Sequence, residues 1–335
     1  MNIALDAVGG DLGAEMAIRG ALEAIRIRED LHVILIGPQT VLTRQMAEIA
    51  AGRKSLDRIT ICHAPEIITM EDAPVDAVRK KKESSIMIGF DLVKNGQAEA
   101  VVSPGNSGAT MAAAVKKLGR LPGISRPGIA SFFPTLKKPV ALMDIGANVD
   151  CRPHHLYQFA VMASSCSRCL LKLDNPRVGL LSIGAETGKG NALVKETYEL
   201  LQDSPLNFIG NVEGRDVFKG DVDVIVCDGF VGNICLKISE GFAEATMQML
   251  RREIMKTWWA KLGYLLSRKA FVNFRKQVDY AEYGGAPLLG INGIGIICHG
   301  ASNALAIGNA VVLATDMVHN LVNDAIIQSL DGSAA

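Results

Sequence analysis

Short runs of β-branched and other apolar residues alternate with amphipathic stretches along nearly the whole chain, a rhythm that predicts a parallel sheet covered by helices. The runs read as strands are Ile3–Leu5, Val33–Ile36, Ile59–Cys62, Ala100–Val102, Val140–Met143, Val178–Ser182, Asn207–Ile209, Val224–Cys227 and Ile294–Cys298. Helical periodicity covers Leu156–Leu171, starts again near Ala192, and follows Pro74-Val75-Asp76. Sheets of this kind bind ligands beyond the carboxyl ends of their strands, so chemistry is expected just after each run.

One segment breaks the rhythm. From Ile238 to about Val278 there is no strand signal, only a long helical stretch that holds both tryptophans of the chain. On a helix Trp258, Leu262, Leu265 and Leu266 share one face, and Trp259 broadens it. Arg251, Arg252, Lys256, Lys261, Arg268, Lys269, Arg275 and Lys276 surround that face with positive charge. Aromatic and leucine residues flanked by bases suit a helix lying in an anionic membrane interface. A dimerising helix pair, or a core helix with snorkelling lysines, is the alternative.

Polar turns fall where the sheet predicts them. The first strand runs into Asp6-Ala7-Val8-Gly9-Gly10-Asp11, and the fourth into Ser103-Pro104-Gly105-Asn106-Ser107-Gly108. Asp144-Ile145-Gly146-Ala147-Asn148 and Cys227-Asp228-Gly229-Phe230-Val231-Gly232-Asn233 repeat a plan of strand, Asp, Gly, Asn, helix. Asp or Asn at such a place serves at least as a helix N-cap. The fifth turn, Gly184-Ala185-Glu186-Thr187-Gly188-Lys189-Gly190-Asn191, resembles a nucleotide phosphate loop with two changes. Three residues rather than four separate Gly184 from Gly188, and Gly190 stands where the Mg²⁺-holding hydroxyl would be. What remains is an anion site: permissive glycines, a helix N-terminus and the charge of Lys189. Five such turns on one parallel sheet are expected to converge on a single crevice. None matches G-x-G-x-x-G, and no acidic residue stands in the ribose-binding position.

At 335 residues the chain accommodates two domains or one large α/β unit. Lys+Arg and Asp+Glu both number 35, so there is no global electrostatic case for nucleic acid, and charge effects are local. The N-terminus lacks a secretory pattern and no uncharged apolar run reaches a spanning length, so a cytoplasmic protein is expected. Seven cysteines, mostly within apolar runs, read as free thiols. Cys166 and Cys169 lie within a helical pattern with no second pair to complete a zinc site. Arg79-Lys80-Lys81-Lys82-Glu83-Ser84-Ser85, near the start of a helical pattern, is either a solvated face or a contact for an acidic partner. His154-His155 has no third ligand at a metal-like spacing. His299, after the last strand, is placed for proton transfer but has no clear Ser or Cys partner.

Taken in order, Asp6–Asp11, Arg79–Ile86, Gly105–Ala109, Asp144–Asp150, Gly188–Asn191, Gly210-Asn211-Val212-Glu213-Gly214-Arg215-Asp216, Cys227–Asn233 and Tyr283-Gly284-Gly285-Ala286-Pro287-Leu288-Leu289-Gly290 resemble the bacterial phosphate acyltransferase family of phospholipid synthesis. The resemblance runs from residue 6 to about residue 304. Departures are modest: Val8 and Ala14 stand where the family usually has Met and Pro, Ser107 replaces Thr, and Ala185 replaces an acidic residue. The ending around His299-Gly300-Ala301-Ser302-Asn303 is shorter than usual. The resemblance implies one three-layer α/β/α doubly wound unit over residues 1–335, like isopropylmalate dehydrogenase, with a protruding helical segment at 238–278. It implies acyl transfer from acyl-[acyl carrier protein] to inorganic phosphate, without metal or redox cofactor. It also implies a homodimer attached peripherally to the inner face of the cell membrane, supplying a membrane glycerol-3-phosphate acyltransferase.

On that resemblance, Lys189, Gly188, Gly190 and Asn191 are assigned to phosphate, and Asn106, Ser107 and Asn233 are donors to phosphate or the thioester oxygen. Asp228 orients Lys189 or accepts a proton, while Asp6 and Asp144 tie the glycine-rich turns. Gly9, Gly10, Asn148 and His299 complete the expected pocket, Lys80, Lys81 and Lys82 the carrier-protein contact, and Trp258, Trp259, Leu262, Leu265 and Leu266 the membrane contact. Alternatives are a short-chain phosphotransacylase using coenzyme A, a dehydrogenase of the same fold, and a non-catalytic membrane scaffold.

Overall fold

The computed structural model describes residues 1–49, 56–278 and 284–332. Tyr283 of the last motif lies outside them, as do the side chains of Arg275 and Lys276. The first half of the chain runs β1 (Asn2–Asp6), α1 (Ala14–Ile27), β2 (His32–Gly37), α2 (Gln39–Ile49), β3 (Ile59–His63), α3 (Pro74–Lys80), α4 (Ser85–Lys94), β4 (Ala100–Ser103), α5 (Ser107–Leu118), β5 (Gly128–Phe133), β6 (Val140–Met143) and α6 (Pro153–Leu171). The second half runs β7 (Val178–Leu181), α7 (Ala192–Gln202), β8 (Phe208–Val212), β9 (Val224–Val226), α8 (Gly229–Lys256), α9 (Trp258–Leu266), α10 (Arg268–Val278), β10 (Ala286–Leu289), β11 (Ile294–Ile297), α11 (Ala304–His319) and α12 (Val322–Gly332).

Successive strand residues point to opposite faces of a sheet, and the core divides accordingly. Ile3, Leu5, Val33, Leu35, Val102, Met143 and Leu180 join one apolar cluster, with the inner faces of α1, α6 and α11. Their neighbours Ala4, Ile36, Val101, Leu142 and Leu181 join a second cluster, with α3, α4 and α5. Both faces are therefore buried, and the three-layer α/β/α architecture follows from strands apolar on both sides.

The strands form one sheet in the order β3-β2-β1-β4-β11-β10-β5-β6-β9-β7-β8. The expectation of a wholly parallel sheet is corrected at its centre. β11 and β10, β10 and β5, and β5 and β6 each pair antiparallel. Three reversals leave β6, β9, β7 and β8 running opposite to β1, β2, β3, β4 and β11. The two strands that introduce the reversal, β5 and β10, are those the sequence pattern does not mark: Gly128 opens one, and Pro287, which lacks a ladder N–H, sits in the other.

The segment expected to be one long helical stretch is three helices. Thr257 ends α8 in an extended conformation and caps α9 by accepting from the Ala260 N–H at 3.2 Å, and Ser267 separates α9 from α10. Only Gly229 and Gly232 of α8 are buried, and α9 buries no residue, so the segment leaves the core at its first turn. No single helix among the described residues is long and apolar enough to cross a membrane.

Candidate active site

The polar turns occupy two rims of the sheet rather than one crevice, because the strands that carry them run in opposite directions. The turns after β1, β4 and β11 lie at one rim, and those after β6, β9 and β7 at the other. The structure thus brings Asp6, Gly9, Gly10, Asn106, Ser107 and His299 together, and separately Asp144, Asn148, Gly188, Lys189, Gly190, Asn191, Asp228 and Asn233.

At the first rim the side chains are largely committed to holding the turns. Asp6 is fully buried; its Oδ1 accepts the Val8 and Gly9 N–H groups at 3.2 and 3.0 Å, and its Oδ2 accepts the Ser103 hydroxyl at 2.7 Å. Burial pushes its carboxyl above the usual range, against the opposing pull of these bonds and one from Ser85. Asn106 caps α5 by accepting the Ala109 N–H at 3.0 Å, and its amide donates to the carbonyls of Thr69, Met70 and Asp72. An amide with both ends engaged pins the 69–72 loop, which departs from the free donor expected of it. Ser107 stays exposed at the first turn of α5. The Asp11 N–H donates to the Gly300 carbonyl at 2.9 Å, which joins the β1 and β11 turns, and within the latter His299 Nδ1 accepts the Ala301 N–H at 3.1 Å.

The basic run 79–85 also lies at this rim and leads into the start of α4. Lys80 closes α3, Lys81 follows as its C-cap, and α4 begins only at Ser85. The Lys81 ammonium binds the Asp72 carboxylate and donates to the Ile67 carbonyl at 2.8 Å. That cation holds the Asp72 carboxyl below its usual range. Lys81 is thereby a brace for the loop that Asn106 pins, while Lys80 and Lys82 remain exposed.

At the second rim Asp144 does for the β6 turn what Asp6 does for β1. Its carboxylate accepts the N–H groups of Ile129, Ala147 and Asn148 at 3.1, 3.1 and 2.7 Å, together with the Asn148 amide at 2.9 Å. Burial raises its carboxyl pKa against these bonds. Asn148 also donates to the Pro127 carbonyl at 2.8 Å, so its side chain is structural. The first turn of α8 is pressed onto this turn: the Gly229 N–H donates to the Asn148 carbonyl at 2.8 Å, and a Cβ at Gly232 would stand 1.8 Å from the Asp144 carbonyl oxygen. Asp228 caps α8 by accepting the Val231 N–H at 3.0 Å, and Asn233, exposed one turn later, packs over Gly146.

Beside these turns lies the loop from Ser182 to Asn191. Asn191 caps α7 by accepting the Val194 N–H at 2.9 Å, and Gly190 has φ 103°, which a side chain would strain. The Lys189 N–H donates to the Glu186 carbonyl at 3.0 Å, closing a turn that leaves Gly188 and Lys189 exposed. The same carbonyl accepts the Asn211 amide at 3.0 Å. Asn211 is buried on β8 and ties the loop to the sheet, a role that sequence reading had not assigned it. An amide within an otherwise apolar strand run was the available signal. Among the described residues Lys189 forms no ion pair with an acidic side chain, so the helix N-terminus, the loop amides and one ammonium face solvent together. Such a constellation can hold a multivalent oxyanion.

Among the described residues no group of three His, Cys, Asp or Glu side chains is placed to hold a metal ion. All seven cysteines are free, and burial pushes the Cys166 and Cys298 thiols up to about 12. The α9 residues Trp258, Trp259, Leu262, Leu265 and Leu266 are all exposed, Leu266 by 81%, with the two indoles stacked at 3.5 Å between ring centroids.

A family model described as fatty acid synthesis protein matches residues 1–325. The chain is 53% identical over 330 residues to a phosphate acyltransferase of Geotalea uraniireducens, covering 98% of this chain and 94% of that one. Among solved structures it is similar to a phosphotransacetylase from Streptococcus pyogenes, with TM-score 0.62, 18% identity and coverage of 95% and 94% of the two chains. A 4-hydroxythreonine-4-phosphate dehydrogenase from Klebsiella pneumoniae is similar at TM-score 0.55 and 14% identity, covering 94% and 99%. These two structures bear on the fold alone.

Proposed function

The chain belongs to the phosphate acyltransferase family, and from that membership we propose that it transfers a fatty acyl group from acyl-[acyl carrier protein] to inorganic phosphate. The acyl phosphate formed serves glycerophospholipid synthesis. The observation that carries the assignment to particular residues is the Lys189 loop: an exposed ammonium at the start of α7, followed by Gly190 where a nucleotide loop carries its Mg²⁺-holding hydroxyl.

In the reaction a phosphate oxygen attacks the thioester carbonyl carbon, the C–S bond breaks from the tetrahedral intermediate, and the proton of hydrogen phosphate ends on the departing thiolate. The products are acyl phosphate and the carrier thiol. A thioester is already activated, so the protein's work is to hold a dianion against a carbonyl and to stabilise the oxyanion. Lys189, with the amides of Gly188 and Gly190, is suited to the first task, and Asn191 fixes the loop by capping α7. Asn233 is an exposed donor on the same rim, suited to the developing oxyanion. Asp228 fixes the start of α8 by capping it, and in this reading its remaining carboxylate oxygen orients Lys189 or accepts the phosphate proton.

The exposed face of α9 and its flanking bases support a peripheral membrane contact on the cytoplasmic side, which delivers an amphiphilic product to a membrane glycerol-3-phosphate acyltransferase. The enzyme is proposed to act there as a homodimer. Donor preference tests the reading: purified enzyme with phosphate consumes acyl-[acyl carrier protein] with a kcat/KM well above that for the matching acyl-coenzyme A. The opposite preference would make it a phosphotransacylase of the coenzyme A type.

A further inference from the structure

We propose that the acidic carrier protein docks on an exposed cluster of three arginines around His154 at the N-terminus of α6, and not on Lys80 and Lys82. The proposal rests on the carrier-dependent reading above. Its starting point is Ser125, a hub in the connection between α5 and β5. The Ser125 carbonyl accepts from the Arg120 guanidinium, and its hydroxyl pairs with His154 Nε2 at 2.6 Å. The next residue, Arg126, donates to the Asp150 carbonyl at 2.9 Å, and Arg152 stands at the N-cap of α6.

The hub is held from below. Gln158 of α6, 9% exposed, accepts the Ser125 N–H at 2.9 Å and donates to the Gly123 carbonyl at 2.7 Å. Arg120, Arg126, Arg152 and His154 are nevertheless all exposed. Among the described residues none of the four is in an ion pair, and the first turn of α6 contains no acidic residue. Asp150 is the acidic residue closest in sequence to the cluster, and it meets Arg126 through its carbonyl. The guanidinium groups of Arg120 and Arg126, held by backbone carbonyls, lose little freedom on binding carboxylates, while Arg152 stands exposed beside them at the positive end of a 19-residue helix.

Topology decides between the two basic features. α6 follows the β6 turn, so the arginine cluster shares the rim of Asp144, Asp228 and Lys189. Lys80 and Lys82 belong to the opposite rim, beside Asn106 and Asp72, and Lys81 between them is already bound to Asp72. A carrier seated on the arginines presents its thioester arm to the Lys189 loop along one rim.

The test compares Arg126→Glu/Arg152→Glu with Lys80→Glu/Lys82→Glu, using acyl-[acyl carrier protein] and the neutral acyl-pantetheine as donors, and measures carrier binding separately by calorimetry. The arginine double variant should raise the KM for the carrier donor at least about tenfold and flatten its salt dependence. Its kcat/KM for acyl-pantetheine and its KM for phosphate should stay within about twofold, and Arg126→Lys/Arg152→Lys should recover most of the loss. Equal loss with both donors, or a carrier KM that rises only in the lysine variant, overturns the proposal. If neither donor supports phosphate-dependent turnover, the catalytic reading fails while calorimetry still decides docking: carrier binding lost only in the arginine variant supports it, and unchanged binding overturns it.

Discussion

Lys189 is placed by backbone, through its own N–H to Glu186 and the Asn211 amide beneath the same carbonyl, so its ammonium is left for a ligand. Lys189→Met is expected to lower kcat/KM by about 10²–10³ without a change in circular dichroism or Tm, the scale for losing one preorganised charge donor. Asn211→Ala should act one step removed, raising the KM for phosphate more than it lowers kcat, because the loop loosens while the ammonium remains. His155 offers a separate check on the turn before α6. Its Nδ1 accepts the Arg152 N–H at 3.0 Å, and burial, with the nearby His154, Arg126 and Arg152, pushes its pKa down from 6.5 to about 4. A depressed basic group gives stability that is present above pH 6.5 and lost as pH falls through about 4. Urea unfolding should show this as no more than about 3 kcal/mol, and His155→Asn, which keeps an acceptor and removes the titration, should flatten the slope. The exposure of Lys189 was legible in the sequence because glycines flank it. The contacts of the Asn106 amide were not legible, since the carbonyls it meets come from a loop 34 to 37 positions earlier in the chain.

At the scale of elements, α8 is joined to the core through glycine. A methyl at Gly232 would drive into the Asp144 carbonyl, so Gly232→Ala should cost at least about 3 kcal/mol and lower both Tm and activity, whereas alanine at exposed Gly241 of the same helix should cost nothing measurable. The protruding α9 calls for the converse test. Trp259→Glu/Leu265→Glu should abolish co-sedimentation with anionic vesicles and leave turnover of a soluble donor intact; lost turnover with retained vesicle binding would mean that these side chains shelter the acyl chain instead. Strand positions were legible where β-branched residues run together, as in Val33–Ile36 and Val224–Val226. β5 and β10 were not, because a glycine in one and a proline in the other remove the local signal, and their pairing partners lie far away in sequence.

Those two unmarked strands control the whole molecule. Without them the sheet reads as parallel and five glycine-rich turns point into one crevice; with them the turns part into two rims, one of which carries the Lys189 loop. The polar turns were therefore visible in the sequence, whereas their grouping depended on long-range antiparallel pairing. The most direct measurement is a phosphate titration of purified enzyme with acyl-[acyl carrier protein], counting carrier thiol released against acyl hydroxamate trapped from acyl phosphate. Thiol release that saturates with phosphate, matches hydroxamate one for one and is lost in Lys189→Met is the predicted result. Release independent of phosphate, or release without trapped acyl phosphate, would contradict the account.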